Sequence, residues 1–390
     1  MRKVLKIEGI PLTEGHSGLY LEVEDGVVKE GFYFALVPVR GFETLLIDKE
    51  AISAPIITSR ICGLCQVTHA IASARAVEAA AGIEVPPEAE LLREVLGLAV
   101  RVYNNFLHQI VISEDLFPEK DERFSFIKRV QRVRKFTGEL LETLGGEIIH
   151  SPNVRVGGIS EPVEDSIREK LLSSIEEIEP LVRELYEEFT TGIDRMWERE
   201  GLDETFGSHD LPFFSTDKFY GKPFDFNRIT FKYPQELFEG ELKREVTNLY
   251  PFIDGLPVET GPRARKVLFE GYRPKGGVKE LHILRALENL EALERIREIL
   301  ENHSFNGELW NRTFPTSDGE TLGVGVHEAP RGTNLHAVKL DKSGKITYYK
   351  IVVPTEINLI AISRALRGVP ASKVEFVVRA YDPCIVCAVH

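Results

Sequence analysis

All four cysteines of the 390-residue chain stand in two Cys-x-x-Cys pairs, Cys62/Cys65 and Cys384/Cys387. More than 300 residues separate the pairs, and the second lies within the last seven residues, where His390 is final. Chain ends fray unless something ties them down. A Cys-x-x-Cys spacing points two sulfurs the same way from one turn of backbone, and two such pairs make a tetrathiolate site. A fold that uses both pairs together must bring the end of the chain back to its beginning.

Several chemistries use such a set. Soft thiolates suit nickel, iron, copper(I) and zinc, and spacing alone does not choose among them. Structural zinc is the simplest alternative, but zinc ribbons and knuckles close short loops. A pair of redox disulfides is a weaker one, because RICGLC lacks the neighbouring βαβ pattern of a thioredoxin-like motif. In DPC, Asp382 reads as a helix N-cap and Pro383 as the first helical residue, which puts Cys384 in a first turn where the helix dipole favours a thiolate. His69, four residues after Cys65, shares a helical face with it and is placed to donate a hydrogen bond to sulfur.

With 43% hydrophobic and 28% charged residues, the chain is ordinary for a folded protein and long enough to bury a large core. A net charge of −13, with no Lys/Arg block, argues against a nucleic-acid partner. MRKVLKIEGI runs on into polar residues, and no apolar run reaches membrane-spanning length. Four cysteines are far from a secreted disulfide scaffold. The expectation is a cytoplasmic protein without a targeting or transmembrane segment.

Helical spacing dominates the interior of the chain. Residues 86–112, 123–144, 163–198 and 278–301 predict helices, the third with an apolar face of Ile167, Leu171, Ile175, Ile178, Val182, Leu185 and Phe189. Residues 18–37 predict a hairpin turning at EDGVV, and 334–354 another around Lys342-Ser343-Gly344. Residues 200–262, rich in Gly, Pro and aromatics, predict irregular chain with a few short strands. No repeat, low-complexity tract or linker divides the sequence. The reading is one mainly α domain over residues 1–390, a bundle of long helices with short sheets in the N- and C-terminal regions.

Taken together, RICGLCQVTH (60–69) and RAYDPCIVCAVH (379–390) resemble the two signature segments of the large subunit of [NiFe]-hydrogenases. TEGH (13–16), PVRGFE (38–43), GGEIIHSPNVRVGG (145–158), VETGPRAR (258–265), EAPRGTNLH (328–336) and VVPTEIN (352–358) follow in the order of that family. PVRG, GPRAR and RAYDPC bring the chain nearest to the cytoplasmic type that reduces a deazaflavin, coenzyme F420.

That resemblance implies a NiFe(CN)₂CO centre that cleaves H₂ reversibly into protons and electrons. Cys62 and Cys384 would be terminal nickel ligands, and Cys65 and Cys387 would bridge to iron. Pro330, Arg331, Pro354 and Thr355 would form the pocket for the diatomic ligands, and Arg331 would overhang the open site. Glu14 would relay protons, Asp115 and Asp382 would hold Arg331, and His69 would bond a bridging sulfur. Glu43, the Ile351 carbonyl and His390 would bind Mg²⁺ or Fe²⁺. By the same likeness, ending at His390 marks a form from which a C-terminal extension has been removed. PLTEGH lacks the arginine that usually precedes the glutamate, and Glu356-Ile357 stands where Thr-Trp is common, which implies altered local packing. With all cysteines committed, iron–sulfur clusters and flavin belong to partner subunits, a small iron–sulfur subunit and a flavin-containing, acceptor-reducing one. A zinc scaffold and an H₂-sensing regulatory hydrogenase are the alternatives.

Overall fold

The computed structural model describes residues 2–237, 246–315 and 318–390. It opens with an antiparallel sheet of β1 (Arg2–Glu8), β2 (Ser17–Glu24) and β3 (Val27–Ala35), in that order. Asp25 and Gly26 turn between the last two strands with φ of 51° and 81°, which an Asp-Gly pair adopts readily. Short helices α1 (Phe42–Leu46) and α2 (Ala54–Thr58) lead to the first cysteine loop and to α3 (Gln66–Ala81). Then come α4 (Pro87–Val111), the turn α5 (Ser113–Leu116), α6 (Lys120–Gly145), a ribbon of β4 (Val154–Arg155) and β5 (Gly158–Ile159), and α7 (Asp165–Arg199).

The stretch read as irregular holds a strand pair, β6 (Ile229–Lys232) and β7 (Tyr250–Ile253), with α8 (Pro234–Leu237) between them; residues 238–245 of it lie outside the described residues. After α9 (Pro262–Glu270) and α10 (Lys279–Asn302) comes a second antiparallel sheet. It is built from β8 (Thr321–Ala329), β9 (Gly332–Leu340) and β10 (Ile346–Val352) in the order β10-β9-β8. The chain closes with α11 (Pro354–Ala365), α12 (Val374–Tyr381) and α13 (Ile385–Ala388).

The four expected helices are α4, α6, α7 and α10. They pack in a ring: α4 on α6, α6 on α7, α7 on α10 and α10 on α4. Leu171, Ile175, Ile178, Val182, Leu185 and Phe189 of α7 are all buried in it. The site is positioned by a second assembly, the Ala-rich α3 laid across β8 and β9. Gly323 and Gly325 of β8 make that close approach possible. A methyl group on either would overlap a carbonyl oxygen of α3, from Ala76 and Ala72 respectively. The C-terminal segment then folds back onto the N-terminal one, where Val28 and Val369 share a backbone hydrogen bond of 2.9 Å.

Candidate metal centre

Cys62 and Cys65 lie in the loop before α3, and Cys65 is the residue that precedes its first turn. Cys384 stands just before α13 and Cys387 within it. All four are free thiols and buried, and their sulfurs lie within 4.8 Å of one another. Each N-terminal sulfur faces a C-terminal one, at 3.6 Å for Cys62–Cys384 and 2.9 Å for Cys65–Cys387. Four thiols this close, out of water, do not ionise together. Hydrogen bonds from Cys384, Cys387 and Cys65 hold the Cys62 thiol well below its ordinary range. Those shared with Cys384, with burial adding to them, push Cys65 and Cys387 up. A cation between the sulfurs reverses this by releasing the remaining protons.

Backbone contacts tie the two cysteine segments together. The Arg40 guanidinium donates to the carbonyls of Ile61 and Val386, both at 2.6 Å, and so clamps one segment to the other. Ile385 N–H donates to the Glu14 carbonyl at 2.9 Å, and Glu14 bridges to Cys384 in parallel. Gly15 follows with φ 86°, and a β-carbon there would press on Ile385 at 3.0 Å, so only glycine seats this segment. The Cys384 N–H donates to the Thr355 hydroxyl oxygen at 3.0 Å. Sequence reasoning passed over Arg40 although it lies within PVRGFE; an arginine beside a glycine, just before a short helix, is the signal it left.

The expected first helical turn around Cys384 is not what forms. Asp382 ends α12 in the left-handed region (φ 51°), and Cys384 is extended. The reason is on the other side of Asp382. Its backbone carbonyl accepts from Arg331 Nε, and its carboxylate meets Arg331 Nη2 at 3.0 Å and His108 Nδ1 at 3.3 Å. Arg331 therefore holds the Asp382 carboxyl well below the carboxylate range against the opposing effect of burial. Asp115, expected beside Arg331, pairs instead with Arg379 at 2.9 Å. His108 fills the role of second neighbour to Asp382. It bonds on to His282 at 3.2 Å, and burial keeps both rings neutral.

Beside the sulfurs lies a small cavity. Cys65, Cys384 and Cys387 form one side of it, and Pro330, Arg331, Pro354 and Thr355 line it too. Its remaining walls are Ala329 and Val353, with Thr68, His69 and Asn334. Arg331 Nη1 is buried here without a hydrogen-bond partner among the described residues. The Pro330 wall is itself braced: Arg265 donates to the carbonyls of Ala329 (3.1 Å) and Pro330 (3.2 Å) while bound to Glu288. His69 borders the cavity, but its hydrogen bond goes to His336 at 3.2 Å rather than to a sulfur. Burial keeps His69 neutral, down to about 3.

Glu14 is half-buried at the same centre. Burial, followed by the Cys62 charge, raises its carboxyl from the ordinary range, with Arg331 opposing. A second group forms at the chain end. One Glu43 oxygen accepts from Ile351 N–H (2.9 Å) and Lys350 Nζ (2.9 Å) and lies 3.3 Å from His390 Nε2. Although burial opposes it, bonding to His390 brings the Glu43 carboxyl down to about 2. His390 Nδ1 donates to the Cys387 carbonyl at 2.8 Å, which leaves Nε2 facing Glu43. Glu356 departs from the expected Thr with a structural effect: its carboxylate caps the Val353 N–H at the start of α11, and burial lifts it to about 7.

The model of the nickel-dependent hydrogenase family matches residues 40–113 and 279–390, which contain both cysteine pairs. The chain is 38% identical to the coenzyme F420 hydrogenase subunit alpha of Methanocaldococcus jannaschii, over 99% of this chain and 94% of the relative. To the subunit of the same name in Methanothermobacter thermautotrophicus it is 35% identical, over 97% and 92%. The fold is that of the Ni-Fe-Se hydrogenase from D. vulgaris Hildenborough, with a TM-score of 0.86 over the whole of both chains at 22% identity. Among the described residues, no helix is long and apolar enough to cross a membrane. With four buried sulfurs gathered from both ends of the sequence, and likeness over its full length, the chain belongs to the nickel-dependent hydrogenases, as a large subunit of the [NiFe] type.

Proposed function

We propose that the quartet holds a NiFe(CN)₂CO centre, with Cys62 and Cys384 terminal on nickel and Cys65 and Cys387 shared with iron. The observation that carries this is the lopsided surroundings of the sulfurs. The cavity adjoins Cys65, Cys387 and Cys384 and is walled by Pro330, Arg331, Pro354 and Thr355. A closed structural zinc site has no use for such a space. Apolar walls suit carbon monoxide, and the unpartnered Arg331 Nη1 suits the nitrogen end of a cyanide. When bound, the centre supplies reversible heterolytic cleavage of H₂.

The chain's own residues do the rest. Arg331 keeps a fixed positive charge over the cavity, and Asp382 sets its orientation from below. Glu14, next to the Cys384 segment, takes protons from the sulfur side and passes them outward; its upward shift is in the direction a relay needs. His69 serves as a neutral wall of the pocket. Glu43, His390 and the Ile351 carbonyl on the open edge of β10 bind Mg²⁺ or Fe²⁺, with waters completing the shell. The ionised Glu43 and the inward-facing His390 Nε2 fit such an ion.

All four cysteines serve one centre, so electrons leave through a partner subunit that carries iron–sulfur clusters. A flavin-containing subunit then reduces a soluble acceptor in the cytoplasm. The names of the relatives support a deazaflavin acceptor, coenzyme F420. The test is H₂-dependent reduction of F420 and of NAD(P) by the native assembly and by its Cys65→Ser variant. Reduction of F420 by the wild-type assembly alone is expected. An assembly complete in nickel, iron and clusters that reduces neither acceptor under H₂ overturns the reading.

A further inference from the structure

Asn334 is on β9, three residues past Arg331, and lines the same cavity. It is 1% exposed, and among the described residues neither Nδ2 nor Oδ1 has a hydrogen-bond partner. Among the described residues, Arg331 Nη1 beside it in the cavity is also free, but it is a donor and cannot serve Asn334 Nδ2. Thr333 donates to Glu328 at 2.8 Å, and His336 bonds to Tyr349 and His69. Across the cavity, the Thr68 hydroxyl donates to the Cys65 carbonyl at 2.7 Å. Side chains alternate along a strand, so Asn334 shares the face of His336, which meets α3 through His69. A buried primary amide with no partner is destabilising where an apolar side chain of the same volume would be neutral. Its partner therefore belongs in the cavity.

We infer that Asn334 Nδ2 is a further hydrogen-bond donor to a diatomic ligand of the centre, namely to the nitrogen of a cyanide; the inference rests on the nickel–iron reading above. A carbon-bound cyanide presents an anionic nitrogen that accepts N–H bonds, whereas bound carbon monoxide is a poor acceptor. The amide offers two N–H groups and no charge, so it complements Arg331 without adding a second cation beside the thiolates. One cyanide would then differ from the other in its hydrogen bonding.

The test is infrared spectroscopy of the native assembly with Asn334→Leu, which keeps the branching and the number of side-chain heavy atoms, and Asn334→Ala, which cannot overpack. Neither variant has the donor. In both, one cyanide stretch is expected to fall in frequency, while the other cyanide and the carbon monoxide stretches move less. All bands unmoved in both variants, or all moved together, overturns the inference and leaves the nickel–iron reading standing. A wild-type assembly with no band in this region defeats the reading itself. If the leucine variant fails to accumulate, the alanine variant carries the test.

Discussion

Arg331 is gripped by Asp382 twice, once by its carboxylate and once by its backbone carbonyl. The second contact needs the left-handed turn at Asp382, where the Asp-Pro pair ends α12 instead of opening the next helix. An Asp-Pro pair reads equally well as an N-cap, and Asp115 as a second carboxylate rested on the family resemblance. Arg331→Lys keeps the charge and loses the planar fork that both contacts use. H₂-dependent dye reduction by the assembled enzyme should fall about 100-fold at unchanged nickel content; a loss of less than a few-fold contradicts the role. Glu14→Gln keeps the shape and removes the proton acceptor, and turnover should again fall by about 100-fold or more. The four cysteines were legible because their spacing is itself the chemistry. Asn334 and His108 were not, since a lone amide or imidazole in a helix or strand carries no pattern until its neighbours are known.

Three of the helices that the sequence announced, α6, α7 and α10, carry a charged stripe opposite an apolar one, and the ring they form with α4 buries the apolar side. α4, buried along most of its length, was announced by the prolines at its start and the helix formers after them. α3 and α11 gave no such signal because they are buried almost all round, so no polar stripe marks their period. Yet α3 is the element that holds His69 and follows Cys65. Its seating depends on glycines far away in sequence: Gly325→Ala drives a methyl into the Ala72 carbonyl and should destabilise the chain by about 3 kcal/mol. Denaturant unfolding checks this, with an unchanged midpoint contradicting it. α13 depends in the same way on Arg40, which bridges the carbonyls of Ile61 and Val386. Arg40→Ala should lower the nickel retained after dialysis while leaving helix content intact by circular dichroism. Full retention of nickel would show that the clamp is dispensable.

Buried histidines spread over the whole molecule set its response to acid. His69, His108, His282, His327 and His336 lie on α3, α4, α10, β8 and β9, and burial lowers the pKa of each. The unfolded chain binds more protons at these positions once pH falls below about 6.5. The histidines' share of the stability is therefore intact above that point and lost as pH drops. For His69, which falls to about 3, the loss at pH 5 is about 2 kcal/mol. The urea midpoint should be lower at pH 5 than at pH 7.5, and equal midpoints would contradict neutral burial. At this scale the sequence told most about its own two ends, because only a closed chain unites sulfurs more than 300 residues apart. The most direct measurement on the account as a whole is metal analysis of the native protein. Nickel and iron together on the chain, with the nickel and one iron per nickel lost when Cys65 or Cys387 is replaced by serine, is the predicted result. Zinc alone on the four sulfurs would contradict it.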